Sequence, residues 1–182
     1  MRITTLALIL VASIYLSGCA SSAKMENMAY QGQPKDYSEK LKKNVEIASV
    51  SGGEETNPAW TSEISDEEFS GAIKQSLLWQ GLLADDGRYE LEVKLLEVDQ
   101  PLFGFDLTVT THVQYILTDT KDGAVIFDET IVVPHTATMD DSFAAVKRLR
   151  LANEGSGKKN IRSFLWKLSK LRIKPDEVSI AQ

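Results

Sequence analysis

Cysteine is almost absent from this chain of 182 residues: Cys19 is the only one. A disulfide within the chain is excluded, and with it the stapled small-domain folds. Histidine is nearly as scarce, limited to His112 and His135. Zinc asks for three or four well-placed ligands, so two separated histidines predict no metal centre. Asp85-Asp86 and Asp140-Asp141 lack the alternating oxygen ligands of a calcium loop and read as a turn and a helix cap. Neither a G-x-S-x-G elbow nor P-loop spacing is present, and nothing calls for a cofactor. Beyond the first nineteen residues no apolar run is long enough to cross a bilayer. Internal repeats and low-complexity segments are also missing.

What is present begins at the first residue. Arg2 supplies a short positive region, and Leu6 to Tyr15 form an apolar run too short for a stable spanning helix. Leu16-Ser17-Gly18-Cys19 follows at once. This order resembles a lipobox, the cleavage site of lipoprotein signal peptidase. The resemblance implies a signal peptide over residues 1–18, a diacylglyceryl thioether on Cys19 and N-acylation of the new terminus, with palmitate as the label to follow. Three acyl chains would hold the protein firmly, since two membrane signals already suffice. Position 20 is Ala rather than the Asp that often marks inner-membrane retention in similar lipoproteins, which points to the outer membrane.

Residues 19–42 are polar and punctuated by Gly32 and Pro34. They read as a lipidated terminus and flexible linker, spanning about 25 Å as a free coil. A single domain is expected over residues 43–174 and a tail over 175–182. Asn44 to Val50 reads as a first strand. Ser65-Asp66-Glu67-Glu68 has the form of a capping box, and Phe69, Ile73 and Leu77 recur on one helical face. Three alternating segments follow. Tyr89, Leu91, Val93 and Leu95 share a face, with a parity slip at Leu95-Leu96 that predicts a bulge. Phe105, Leu107, Val109, Val113, Tyr115 and Leu117 share the next. After a turn at Lys121-Asp122-Gly123 come Val125, Phe127, Ile131 and Val133. A last helical region is expected from a cap at Asp140 or Asp141, with Phe143, Val146 and Leu149 buried. Gly155-Ser156-Gly157 would interrupt it before the stripe Ile161, Phe164, Leu165, Leu168 and Leu171, and Pro175 would close it. The order β-α-β-β-β-α predicts an α+β fold: a two-layer sandwich with a mostly antiparallel sheet and two helices on one face.

Gly52-Gly53, Thr56-Asn57-Pro58, Trp60, Arg148-Leu149-Arg150, Ala152-Asn153-Glu154-Gly155 and Asn160-Ile161 resemble a family of uncharacterised lipoproteins of Gram-negative bacteria. Some members carry the automatic name UDP-N-acetylglucosamine acyltransferase. Enzymes of that title are built from hexapeptide repeats in a parallel β-helix, and this chain has none. The order of elements is also similar to auxiliary lipoproteins of lipid-transport systems, the curli-pore lipoprotein and a domain of the Tol-system propeller protein.

Net charge is −6, yet between Lys147 and Lys174 ten Lys or Arg meet one acid, Glu154. That basic stretch reads either as a solvated helix face balanced by the protein's own acids, or as a contact for anionic headgroups, glycan or an acidic partner. Within it, Lys158 and Lys159 follow Gly155-Ser156-Gly157 as an anion candidate, the alternative being a hinge between two helical pieces. Arg148 and Arg150 point in different directions on a helix, one toward the sheet and one toward solvent. Trp60 and Trp166 are the aromatic contact candidates, and Trp166 lies off the buried stripe. His112 and His135 read as an exposed strand residue and a loop residue. An exported acidic chain without interleaved surface aromatics argues against nucleic acid. The expectation is a non-catalytic outer-membrane lipoprotein, lipid-anchored with its domain in the periplasm, that binds or scaffolds an envelope protein or glycolipid. The alternatives are a lipid or glycolipid carrier serving a transport system, and an enzyme of envelope glycan or lipid.

Overall fold

A computed structural model describes residues 20–57 and 61–173. A lone helical turn, α1 (Met25–Met28), precedes β1 (Val45–Ser51), α2 (Asp66–Trp79), β2 (Tyr89–Asp99), β3 (Leu107–Asp119), β4 (Ala124–Ala137) and α3 (Ala145–Lys170). The sheet order is β1-β2-β3-β4. β1 runs parallel to β2 through the α2 crossover, and the other two pairings are antiparallel. This is the expected α+β sandwich.

Local chemistry sets the boundaries. Ser65 Oγ accepts from the Glu68 N–H at 3.3 Å and starts α2. The Glu68 carboxylate turns to the Met25 N–H at 2.7 Å instead of back to its own cap. In β2 the register shifts between Leu95 and Glu97, which turns Leu96 outward while Tyr89, Leu91, Val93 and Leu95 stay buried. Strand β3 alternates cleanly along its length. Phe69, Ile73 and Leu77 from α2 and Ile161, Phe164, Leu165 and Leu168 from α3 pack on Val93, Val113, Tyr115 and Leu117. Phe164 stacks on Tyr115 with centroids 4.2 Å apart, and Phe127 meets it edge-on.

Several sequence expectations change here. Helix α3 is continuous through Gly155-Ser156-Gly157. A Cβ on Gly155 would lie 1.6 Å from His135 Cδ2, and one on Gly157 would lie 3.0 Å from Met28 Sδ. Ser156 Oγ accepts from the Thr111 N–H at 3.1 Å and donates to the Val133 carbonyl at 2.7 Å. The small residues therefore mark close approach of the helix to the sheet and to Met28, which tertiary packing favours over the helix break read locally. The helix begins after Ala144, not at Asp140 or Asp141. Asp141 closes a turn by accepting from the Thr138 N–H. Phe105, Val125 and Phe143 are exposed rather than buried.

Residues 20–42, which composition reads as a linker, lie along the domain. Ala23, Met28, Tyr37 and Leu41 are buried in the main core. The Tyr30 N–H donates to Ser76 Oγ, and Tyr37 Oη to Gln80 Oε1. Burial raises the Tyr37 pKa well above the ordinary phenol value. This segment straps both helices.

Candidate ligand-binding groove

The last three turns of α3 carry Arg162, Trp166 and Lys170 at four-residue spacing, which stacks them along one face. Trp166 is 51% exposed, and Lys170 Nζ sits 5.8 Å from its ring centroid. Two cavities flank it. The larger, about 700 Å³, lies between α3 and edge strand β4, with Tyr30 and Lys35 of the strap and Arg162, Ser163 and Lys167 on its walls. The smaller, about 330 Å³, includes Asp36, Ser169, Lys170 and Arg172. Lys35 and Trp166 line both. Five cations thus line the cavities around a half-exposed indole, with Lys170 over its ring and with Glu129, which pairs Lys167, and Asp36 as the nearby acids. The arrangement can stack a flat or ring-shaped ligand and hold anionic groups at its rim.

The other sequence candidates are placed elsewhere. Arg148 is buried, and its guanidinium donates to the carbonyls of Ser142 at 2.7 Å, Phe143 at 2.9 Å and Gly104 at 3.3 Å. It clips two loops together rather than facing a ligand. Arg150 donates to Ser21 Oγ at 2.6 Å and pairs with the buried Glu154 at 3.5 Å. Lys158 and Lys159 are exposed on α3, two turns before Trp166, and do not line the groove. Cys19 and Trp60 lie outside the described residues. Tyr30, Lys35, Thr130 and Ser163 are groove residues that sequence reasoning missed, and Arg162, Lys167, Lys170 and Arg172 enter it only as members of the basic stretch.

The potential reactive groups are separated. His112 stands on the polar sheet face, its Nε2 3.2 Å from Asp99 Oδ2. With Glu97 these two offer three ligand atoms within 4.8 Å of one another, but both carboxylates are exposed to competing water. His135 is not in a loop: it lies within β4 and covers Gly155. Burial lowers its pKa, Lys159 adds to the effect, and Asp141 opposes it. Ser156, Thr111, Asn160 and Tyr115 form a fully buried network, with Asn160 Nδ2 donating to the Ile131 carbonyl and Tyr115 Oη donating to Asn160 Oδ1. Their hydroxyls are committed to the Val133 carbonyl, to the Asn160 amide oxygen and to one another, with no histidine among the partners.

No helix among the described residues is long and apolar enough to cross a membrane. No family model matches the chain, and no curated protein matches it. Among solved structures, protein XCC0632 of Xanthomonas campestris, from the DUF330 family, is similar with a TM-score of 0.55 at 11% identity, over 82% of this chain and 93% of that one. Protein CT253 of Chlamydia trachomatis gives 0.53 at 10% identity, over 71% and 97%. A minor lipoprotein of Acinetobacter baumannii gives 0.49 at 10% identity, over 71% and 94%. At these identities the first two likenesses establish a shared fold.

Proposed function

We propose that this chain is a non-catalytic, lipid-anchored binding protein of the bacterial outer membrane, with its domain in the periplasm, and that the groove around Trp166 receives an anionic saccharide. The observation that carries this reading is Trp166, half-exposed between Lys35, Arg162, Lys167, Lys170 and Arg172. An aromatic face suits the apolar side of a sugar ring, while the cations and the hydroxyls of Tyr30 and Thr130 suit its phosphate or carboxylate substituents. The lipobox at residues 16–19 supports the anchor. The lack of a hydroxyl–histidine pair among the described residues supports a binding role over catalysis. The carrier alternative asks for an apolar groove between helices and sheet; the stacked Tyr115 and Phe164 fill the core layer, and the groove beside β4 joins Ile131, Val132 and Val133 to cations and hydroxyls, a lining that suits a polar, charged ligand better than an acyl chain.

The test is calorimetric titration with the phosphorylated oligosaccharide obtained by deacylating lipopolysaccharide. Saturable binding is expected, weakened at least about tenfold in Trp166→Ala and in Arg162→Ala, which corresponds to about 1.4 kcal/mol. Absence of binding to the wild-type protein would refute the reading.

A further inference from the structure

Every connection at one end of the sheet gathers at a single pole. β1 and β2 are parallel and finish there, so residues 52–57 and 61–64 and the β2–β3 loop lie together. Ala137 pairs with Leu107, which brings the β4–α3 connection to the same end. The guanidinium of Arg148 fastens the two loops by bonding the Gly104 carbonyl on one and those of Ser142 and Phe143 on the other.

The start of the described chain is tied to the same pole. Ser62 Oγ donates to the Ser21 carbonyl at 2.7 Å, and the Ala23 N–H donates to the Glu63 carbonyl at 2.9 Å. Gln100, at the root of the β2–β3 loop, donates to the Ser62 carbonyl and to the Glu63 carboxylate. Ala20 is itself buried. Cys19 is two residues from Ser21, a reach of at most about 7 Å. Any lipid on Cys19 must emerge beside this pole.

The pole carries an apolar tip. Leu102, Phe103, Phe105 and Phe143 are 82 to 95% exposed, on the two loops that Arg148 joins. Isolated exposed apolar residues are ordinary, but four large ones on two fastened loops form a contact surface. Phe and Leu are among the apolar residues that peripheral segments bury at the headgroup–acyl boundary. The surrounding charges are mostly acidic, with Glu54, Glu55, Glu63, Glu97, Asp99, Asp106, Asp140 and Asp141 against Lys147, Arg148 and Arg150, and Arg148 is buried among carbonyls, so attraction to anionic headgroups is not the driving force.

We infer that this pole rests directly on the membrane, with Leu102, Phe103, Phe105 and Phe143 seated in the interface of a neutral-headgroup bilayer beside the acyl chains of Cys19. The inference rests on the lipoprotein reading. It replaces the expected tether with a domain pressed against its membrane.

The full-length lipidated protein, with an environment-sensitive fluorophore on Phe103→Cys or Phe143→Cys, is placed in phosphatidylcholine vesicles carrying a lipid-bound quencher. Asp122→Cys, in the hairpin at the opposite end, is the control. Labels at 103 and 143 should shift to the blue and lose intensity to the quencher, whereas the label at 122 should do neither. Mass spectrometry of the amino-terminal peptide reads acylation separately. Aqueous emission at 103 and 143 with Cys19 acylated would overturn the seating and leave the anchor intact. Loss of the acyl mass from Cys19 would overturn both. Burial of the labels that depends on protein concentration and not on vesicles would assign the tip to a second copy and overturn the inference.

Discussion

Gly155 shows how far a single residue's meaning depends on its neighbours. Alanine is more favourable than glycine inside a helix by about 1 kcal/mol. Here the added methyl group would collide with the His135 ring, whose Cδ2 would be 1.6 Å away. Gly155→Ala should therefore destabilise the domain by about 1–3 kcal/mol, the usual cost of forcing volume into a packed contact. In a His135→Ala background the same change should become neutral or stabilising by up to about 1 kcal/mol. Denaturation of the four proteins in this cycle checks it, and additive effects would contradict the contact. Arg148 teaches the same lesson in reverse. Its charge and its place in a basic stretch suggested a ligand contact, but three carbonyls claim its guanidinium. Neither fact is legible in the sequence, because both depend on residues brought together by the fold.

At the scale of elements, the strands and α2 were readable because their signals are local. Alternation marked β2 and β3, the slip at Leu95-Leu96 marked the bulge, and Ser65 marked the start of α2. Helix α3 is readable as two pieces, one through Val146 and Leu149 and one through Ile161 to Leu168, but not as one continuous element. Its Gly-Ser-Gly centre carries a local break signal that buried contacts to Thr111, Val133 and Met28 override. The strap was hidden for another reason: its apolar residues, Met28, Tyr37 and Leu41, are too widely spaced to form a period. Met28 is fully buried between α2 and α3, near Phe69 and Gly157. Met28→Ala should cost about 2–5 kcal/mol by chemical denaturation, as truncation of a buried side chain does. An unchanged midpoint would mean that the strap contributes nothing to the folded state. The groove was half-legible. Trp166 and the basic stretch stood out, but Lys35 and Tyr30 arrive from a segment more than 120 residues away.

For the whole molecule, one thiol carries the entire attachment proposed here. Cys19→Ser removes the only atom that can accept the diacylglyceryl group. Processing should stop, and incorporation of radiolabelled palmitate should fall to background. Undiminished label in that variant would sink the lipoprotein reading.

Such attachment would also confine every copy to a plane, where local concentration is high and an open strand edge becomes hazardous. Strand β4 is such an edge. Thr111 and Val133 face one another across the ladder, bridged by Ser156, so the adjacent Pro134 turns its nitrogen outward. Proline has no hydrogen there to offer a neighbouring strand. Asp128 and Glu129 lie further along β4, and the register shift between Leu117 and Thr118 distorts the pairing nearby. A crowded lawn of these molecules can thus stay a population of individuals, because the border that would zip one to the next lacks a donor at Pro134 and is bent by its register shift.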